Sequence, residues 1–232
     1  MTHQTGADHD WRDSSGRRLV DYPRPSLAVD TALLTVQPQA DSWRLAVLQV
    51  RLDPPQGRAS WALPGTFVHP GETLADAVRR CLRTKAAVTG QSPSQLHVFD
   101  RPDRDPRGWV VSVAHLDVAR WDQIEPMRDP TRTRLADASR PGRLPYDHAD
   151  IVARAVTQIR AEYAQTPDPR GLLPQPFTMR QLRHLHGAVA GVSLQADTFR
   201  RQMLPHLGEA PGNTRGQRGR PAQLYQRATD PA

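Results

Sequence analysis

Between Leu63 and Val88 the chain reads LPGTFVHPGETLADAVRRCLRTKAAV, a loop bearing prolines and glycines that runs straight into a helix, and this stretch restricts the fold more tightly than any other. Leu74, Ala77, Val78, Cys81, Leu82 and Ala86 recur at the spacing of one helical face, which predicts a helix over Thr73 to Val88 with that face toward a core. Glu72 and Asp76 stand about one turn apart at its start, where acidic side chains offset the N-terminal dipole. Near the other end is Lys85, the single lysine in a chain whose remaining Lys/Arg positions are all arginine.

The run resembles a Nudix box, the metal-binding signature of nucleoside-diphosphate hydrolases, with most of its carboxylates missing. Laid on that pattern, the chain gives Thr66 for the first glycine, Glu72 for the first glutamate, then Arg80, Cys81, Leu82, Arg83, Thr84, Lys85, Ala86, Ala87 and Val88. Cys81, Thr84 and Lys85 stand where three glutamates belong. Mg²⁺ seeks oxygen ligands in near-octahedral array, and the box supplies carboxylates from one helix face. A lysine there opposes a divalent cation, so the resemblance implies the fold without hydrolysis: no catalytic residue, no metal and no cofactor. Thr66 in place of glycine also narrows the backbone freedom of the loop.

The surrounding pattern extends the same architecture. LAVDTALLTV (27–36) and RLAVLQVR (44–51) read as a strand pair across the turn-forming QPQADS. QLHVFD (95–100) and GWVVSVAHLDV (108–118) read as two further strands, the second alternating Val111, Val113 and Leu116 with polar neighbours as if one face were wetter. The Asp-, Arg- and Pro-rich stretch 120–145 carries no pattern. HADIVARAVTQIRAEYA (148–164) is an amphipathic helix with Asp147 as its N-cap. Strands between two helices make an α/β/α sandwich.

Prolines and a glycine in TPDPRGLLPQP (166–176) exclude helix and mark a domain joint near Asp168. Beyond it lie a helix capped by Thr178, a turn at Gly191, and a second helix, ADTFRRQML, with Phe199, Met203 and Leu204 inward. A Gly-rich hairpin ending in AQLYQR follows. Helix, turn, helix and hairpin is the order of a winged helix-turn-helix, whose second helix enters the major groove.

Charge agrees with that reading. Of the net +7, most falls in residues 171–232, where eight arginines face Asp197, Glu209 and Asp230. A basic excess is the footprint of a polyanion binder, since arginines meeting phosphates release counterions; Arg-rich usage across the whole chain has a compositional explanation, its concentration does not. Thr198, Arg200 and Arg201 are the candidates for base edges or phosphates, and Arg215, Arg218 and Arg220 on the wing for the backbone or minor groove. The alternative for Arg200 and Arg201 is a solvated helix face, and for the C-terminal domain a protein partner. With no long apolar run and a polar start, the sequence predicts a cytoplasmic protein with no membrane contact. The lone Cys81 reads as a buried small side chain.

FTxxxLxxLHxAVxGxxLxxxxFRRxML followed by GRPAxLY resembles the C-terminal domain of the NrtR family, Nudix-related regulators in which a Nudix-like sensor precedes a winged helix. RDPRGWVVSVAHL and LPYDHADIVARA resemble that family's sensor half, so the likeness covers roughly residues 26 to 227. It implies an α+β chain with a flexible arm (1–24), a Nudix-like effector-sensing α/β/α sandwich (25–168) and a winged-helix DNA-binding domain (169–232). It also implies a homodimeric repressor on double-stranded DNA controlling NAD metabolism genes, with ADP-ribose or a related nucleotide or phosphoribosyl metabolite as effector. Carried over position by position, the effector pocket comprises Arg51, Trp61, Pro64, Gly65, Phe67, Glu72, Arg104, Asp105 and Arg107. Arginines suit a diphosphate, an aromatic ring a base, and a carboxylate ribose hydroxyls. Trp61 and Phe67 also suit a core, and Arg104 and Arg107 an exposed loop. Two rivals stay open: the same regulator sensing a sugar phosphate or another nucleotide, and a Mg²⁺-dependent hydrolase with displaced ligands at Glu72, Asp76 and Asp105.

Overall fold

The near-continuous apolar run of the first strand demands cover on both faces, and the computed structural model, which describes residues 11–39, 42–52, 60–213 and 222–228, supplies it. β1 (Ser26–Pro38) lies inside a mixed sheet with β2 (Trp43–Leu52), β3 (Ser60–Ala62), β4 (Gly65–Phe67), β5 (Ser94–Phe99), β6 (Val110–Val118) and β7 (Thr133–Asp137). The order is β3–β2–β1–β6–β5, with β4 against the first part of β1 and β7 against β2. β1 and β6 run parallel from Ser26↔Val110 to Leu34↔Val118, and the other pairs are antiparallel.

Alternation along β1 sends Val29 and Leu33 to one face, where Leu48 and Val50 join them against Ala77, Val78 and Leu82 of α1 (Leu74–Ala86) and Ile124 of α2 (Trp121–Ile124). Ala32, Leu34 and Val36 go to the other face, with Val47, Ala114 and Leu116, against Ile151, Val152, Ala155 and Ile159 of α3 (His148–Glu162). That second core does not stop at the sandwich. It continues without a break into Phe177, Leu182, Leu185, Val189, Phe199, Met203 and Tyr225 of the C-terminal part.

There, Thr178 caps α4 (Met179–Ala190) through a reciprocal pairing with Gln181, and Gly191 ends it in the left-handed conformation, φ 76°. α5 (Ala196–Met203) follows, capped by the Gln195 side chain. β8 (Phe177–Thr178), β10 (Gln223–Arg227) and β9 (Leu207–Asn213) form a small sheet in the order β8–β10–β9. This is a winged helix resting on the sandwich, with α4 packed against β2. Residues 11–24 make a turn gathered around Asp13 and a single 3-10 turn, none of it in the core. Among the described residues no helix is long and apolar enough to cross a membrane.

Several expectations change. The stretch 120–145 contains α2 and the edge strand β7. The polar residues of β6 are buried with the apolar ones, since Ser112, His115 and Asp117 all lie inside. Asp147 occupies the N-cap position of α3 but makes no side-chain cap bond, because its carboxylate faces Arg104 and Arg101 instead. Leu204 points outward, at the start of a 3-10 turn.

Ala87 caps the C-terminus of α1 with φ 56°, a region that costs a side chain of L configuration about 1 kcal/mol or more. This is the position of the glycine in the Nudix pattern. Ala87→Gly is expected to raise stability by about 0.5 kcal/mol, after the greater freedom glycine gives the unfolded chain is subtracted, and a chemical denaturation curve measures it.

His186, buried in α4 between the Tyr163 and Phe199 rings, is held by burial down at about 4 from an ordinary 6.5. The unfolded chain therefore binds a proton in that interval that the folded chain refuses. Stability from this group is complete above about pH 6.5 and is lost progressively as pH falls toward 4. Thermal unfolding of wild type should show this acid decline, and His186→Gln should flatten it.

Candidate functional site

The strongest constraint on the site comes from a carboxylate in the middle of an apolar strand. Asp30 is 7% exposed on β1, and β4 passes so close that a Cβ on Gly65 would lie 2.1 Å from Asp30 Oδ1. Ser112 Oγ donates to Asp30 Oδ2 at 2.6 Å, and an Arg104 amino group approaches the same oxygen at 3.4 Å. His148 Nδ1 accepts the Leu63 N–H at 3.0 Å, which leaves its Nε2–H directed at Asp30 Oδ1, 3.3 Å away. Burial alone would raise the Asp30 carboxyl, but the bonds from His148 and Ser112 and the Arg104 charge hold it below its ordinary value.

Beside this cluster lies a cleft of about 240 Å³ where β1, β4, α1, the β5–β6 loop and the start of α3 converge. Gly65, Phe67, Arg104, Asp105 and Arg107 line it, as do Asp30, Lys85, Tyr146 and His148, which the sequence reading did not include. Lys85 Nζ donates to the Gly65 carbonyl at 2.5 Å, so the one lysine brings its charge to the cleft wall. Arg104 is no loop charge: it is buried, with its Nε on Asp147 at 2.7 Å. Arg107 pairs with Asp105 at 2.6 Å and lies 5.3 Å from the Phe67 ring centre and 5.4 Å from that of Tyr146. The bond from Arg107 holds the Asp105 carboxyl low. Cationic groups, two aromatic rings and a guanidinium between them form a wall that suits an anionic ligand with a flat ring.

Four carried-over residues lie elsewhere. Glu72 turns to Arg80, accepting its Nε at 2.6 Å, and that bond holds the Glu72 carboxyl at about 2. Trp61 lies under the Arg134 guanidinium at 4.7 Å, half-buried outside the core. Arg51 is exposed on β2 opposite Trp61. Pro64 is buried next to the cleft, its carbonyl accepting the Thr31 N–H at 2.9 Å. Thr66 takes ordinary extended backbone in β4; the glycines this loop requires are Gly65, for its close approach to Asp30, and Gly71, with φ 82°. Asp76 is occupied by the helix cap with Thr73. Among the described residues no group of three or more His, Cys, Asp or Glu side chains could hold a metal.

On the winged helix, Phe199 and Met203 turn α5 so that Thr198, Arg200 and Arg201 are exposed. Arg215, Arg218 and Arg220, assigned to the wing, fall outside the described residues.

Comparison with known proteins follows the same division. Residues 28–158 match the NUDIX domain, and residues 169–226 match the NrtR DNA-binding winged helix domain. The ADPR responsive transcriptional repressor NtrR of Acinetobacter baylyi is 28% identical over 212 residues, covering 88% of this chain and 83% of its own. The ADP-ribose pyrophosphatase of Methanocaldococcus jannaschii is 30% identical over 141 residues, 61% of this chain and 78% of its own. Shewanella oneidensis NrtR superposes with a TM-score of 0.71 at 28% identity, over 87% of this chain and 93% of its own. It has also been solved with a 27mer DNA and, as the NUDIX domain alone, with ADP ribose; that domain covers 62% of this chain and 95% of its own, with a TM-score of 0.50 at 26% identity.

The close approach at Gly65 is directly testable. In Gly65→Ala the new methyl displaces a carboxylate that three groups hold, with the Val29 carbonyl also 3.3 Å away. We expect a loss of about 1–3 kcal/mol in denaturation, with perturbed His148 resonances in NMR spectra.

Proposed function

Because this chain belongs to the NrtR family, with a NUDIX domain followed by the NrtR winged helix, we propose that it is a DNA-binding transcriptional repressor whose cleft senses ADP-ribose or a related nucleotide without hydrolysing it. The observation that carries the reading is Lys85, a cation on the cleft wall at the box position where a hydrolase has a metal-binding carboxylate. The neighbouring box positions fit Mg²⁺ no better. Cys81 is buried with its thiol pushed up to about 11 by burial, Thr84 Oγ1 bonds the Arg80 carbonyl, and Glu72 is held by Arg80. A diphosphate would find cations here without a metal: Lys85 and Arg107 for its oxygens, and Phe67 and Tyr146 for a flat ring.

In this reading the effector residues are Lys85, Arg107, Phe67 and Tyr146, with Asp30, Gly65, Arg104, Asp105 and His148 holding the cleft in shape. Thr198, Arg200 and Arg201 meet the major groove. The protein works in the cytoplasm as a homodimer, matching a palindromic operator in genes of NAD metabolism. The homologue's repression in response to ADPR and the Shewanella oneidensis complexes with DNA and ADP ribose support the assignment. A hundredfold loss of DNA affinity on effector binding needs about 2.7 kcal/mol of coupling, within the reach of one network of charge-assisted bonds.

Fluorescence anisotropy on labelled duplex from upstream of the protein's own operon, titrated with ADP-ribose at fixed salt, tests this. We expect tight, sequence-selective, salt-sensitive binding that ADP-ribose weakens, and an Arg201→Ala variant weaker by about 5- to 100-fold. Equal ADP-ribose affinity for free and DNA-bound protein would sink the sensor. Mg²⁺-dependent cleavage of ADP-ribose that Glu72→Gln abolishes would reinstate the hydrolase.

A further inference from the structure

One helix of the sandwich touches the cleft with its first turn and, through its last turn and the residues just beyond it, reaches α4, α5 and β10 of the DNA-binding domain. At the start of α3, His148 meets Asp30 and the adjoining Asp147 holds Arg104, so this end belongs to the polar cluster that shapes the cleft. At the other end, Arg160 Nε donates to the Val189 carbonyl at 3.0 Å, closing the C-terminal end of α4. The Ala164 carbonyl, just beyond the helix, accepts Gln202 Nε2 of α5 at 3.1 Å. Tyr163 Oη donates at 2.8 Å to Asp168, and the other Asp168 oxygen receives Arg227 of β10 at 2.6 Å.

Asp168 is the centre of that grip. It is fully buried, its backbone is left-handed at φ 46°, and its carboxylate also accepts the Leu172 and Leu173 N–H groups at 2.7 and 2.9 Å. Such a carboxylate has no slack, because each lone pair it loses goes unsatisfied away from water. A surface linker needs none of this. Fixing helix end, linker and wing strand to one buried charge makes sense where their relative placement has to be held.

We infer that α3 is the positioning element between the two sites, with Arg160, Tyr163 and Asp168 as positioning residues that fix the winged helix to it. A 15-residue helix spans roughly 22 Å and transmits a displacement of its first turn to its last. A ligand that draws Arg104 or His148 into new bonds displaces the first turn of α3, and α4, α5 and β10 follow as one body. The effect on DNA binding rests on the regulator reading above; the mechanical role of α3 does not.

The experiment separates the two. Single-molecule energy transfer between dyes on Gln95→Cys in β5 and Ala196→Cys in α5, with labelled chains diluted into unlabelled protein, reports the placement of the winged helix. Tyr163→Phe, and independently Arg227→Gln at the half-buried end of the same chain of bonds, should shift or broaden a distribution that is narrow in wild type. Both variants should bind ADP-ribose within about threefold of wild type while its effect on DNA affinity falls by about tenfold. Distributions identical to wild type in both variants would overturn the positioning role. A wild type whose DNA affinity ignores ADP-ribose would remove the effector reading instead, and the dye distances would still decide the role of α3.

Discussion

A carboxylate buried in the central strand of a sheet has to be satisfied from all sides, and Asp30 organises the structure around that need. The groups that meet it come from β6, the β5–β6 loop and α3, and β4 must pass it with a glycine. Leaving a buried charge unpaired costs several kcal/mol. These segments, far apart in sequence, are therefore drawn to one point, and the cleft is the space between them. The cavity lies beside the groups that satisfy Asp30, so its floor is polar and buried while its mouth, at Phe67 and Tyr146, is more exposed.

Against that floor, the change at Lys85 has a simple electrostatic meaning. A hydrolase needs net negative charge on the box helix to collect cations that in turn collect a diphosphate. Placing the cation on the protein itself removes the intermediary. In the reading proposed above, binding would then depend on no metal, and the anion would meet a charge tethered to the Gly65 carbonyl. On that proposal, a retained loop and helix with the sign inverted at one position would keep recognition and discard the reactive arrangement.

Much of this was legible from residue order. The apolar spacing of α1 and α3, the capping Thr178 and the inward Phe199 follow from periodicity that burial enforces, and the structure agrees on each. The misreadings have physical causes. β3 and β4 are three residues each, too short to show a period, and TRLAD in β7 is half-exposed on an edge, where alternation is weak. β6 looks amphipathic because Ser112, His115 and Asp117 are polar, yet the sheet is covered on both faces. Arg104 sits in a stretch, RPDRDPR, that reads as solvated loop, and nothing local announces that Asp147 and Asp30 will bury it. The one signal that could have located the cleft was Asp30 itself, a lone charge inside LAVDTALLTV. Glu72, a natural choice from the box, was claimed by Arg80, a pairing that only the folded loop brings about.

The apolar core that runs from the sheet through α3 into α4, α5 and β10 bears on how such a chain can be rearranged by evolution or by design. A winged helix cut at the proline-rich joint would lose the sandwich side of this shared core, so the segment between the halves is a poor crossover point despite its loop-like composition. A transferable winged helix needs both α3 and a strand that covers α4 as β2 does. Any new sensor grafted onto this DNA-binding domain would have to present that helix, or one with the same last turn, from its own sheet.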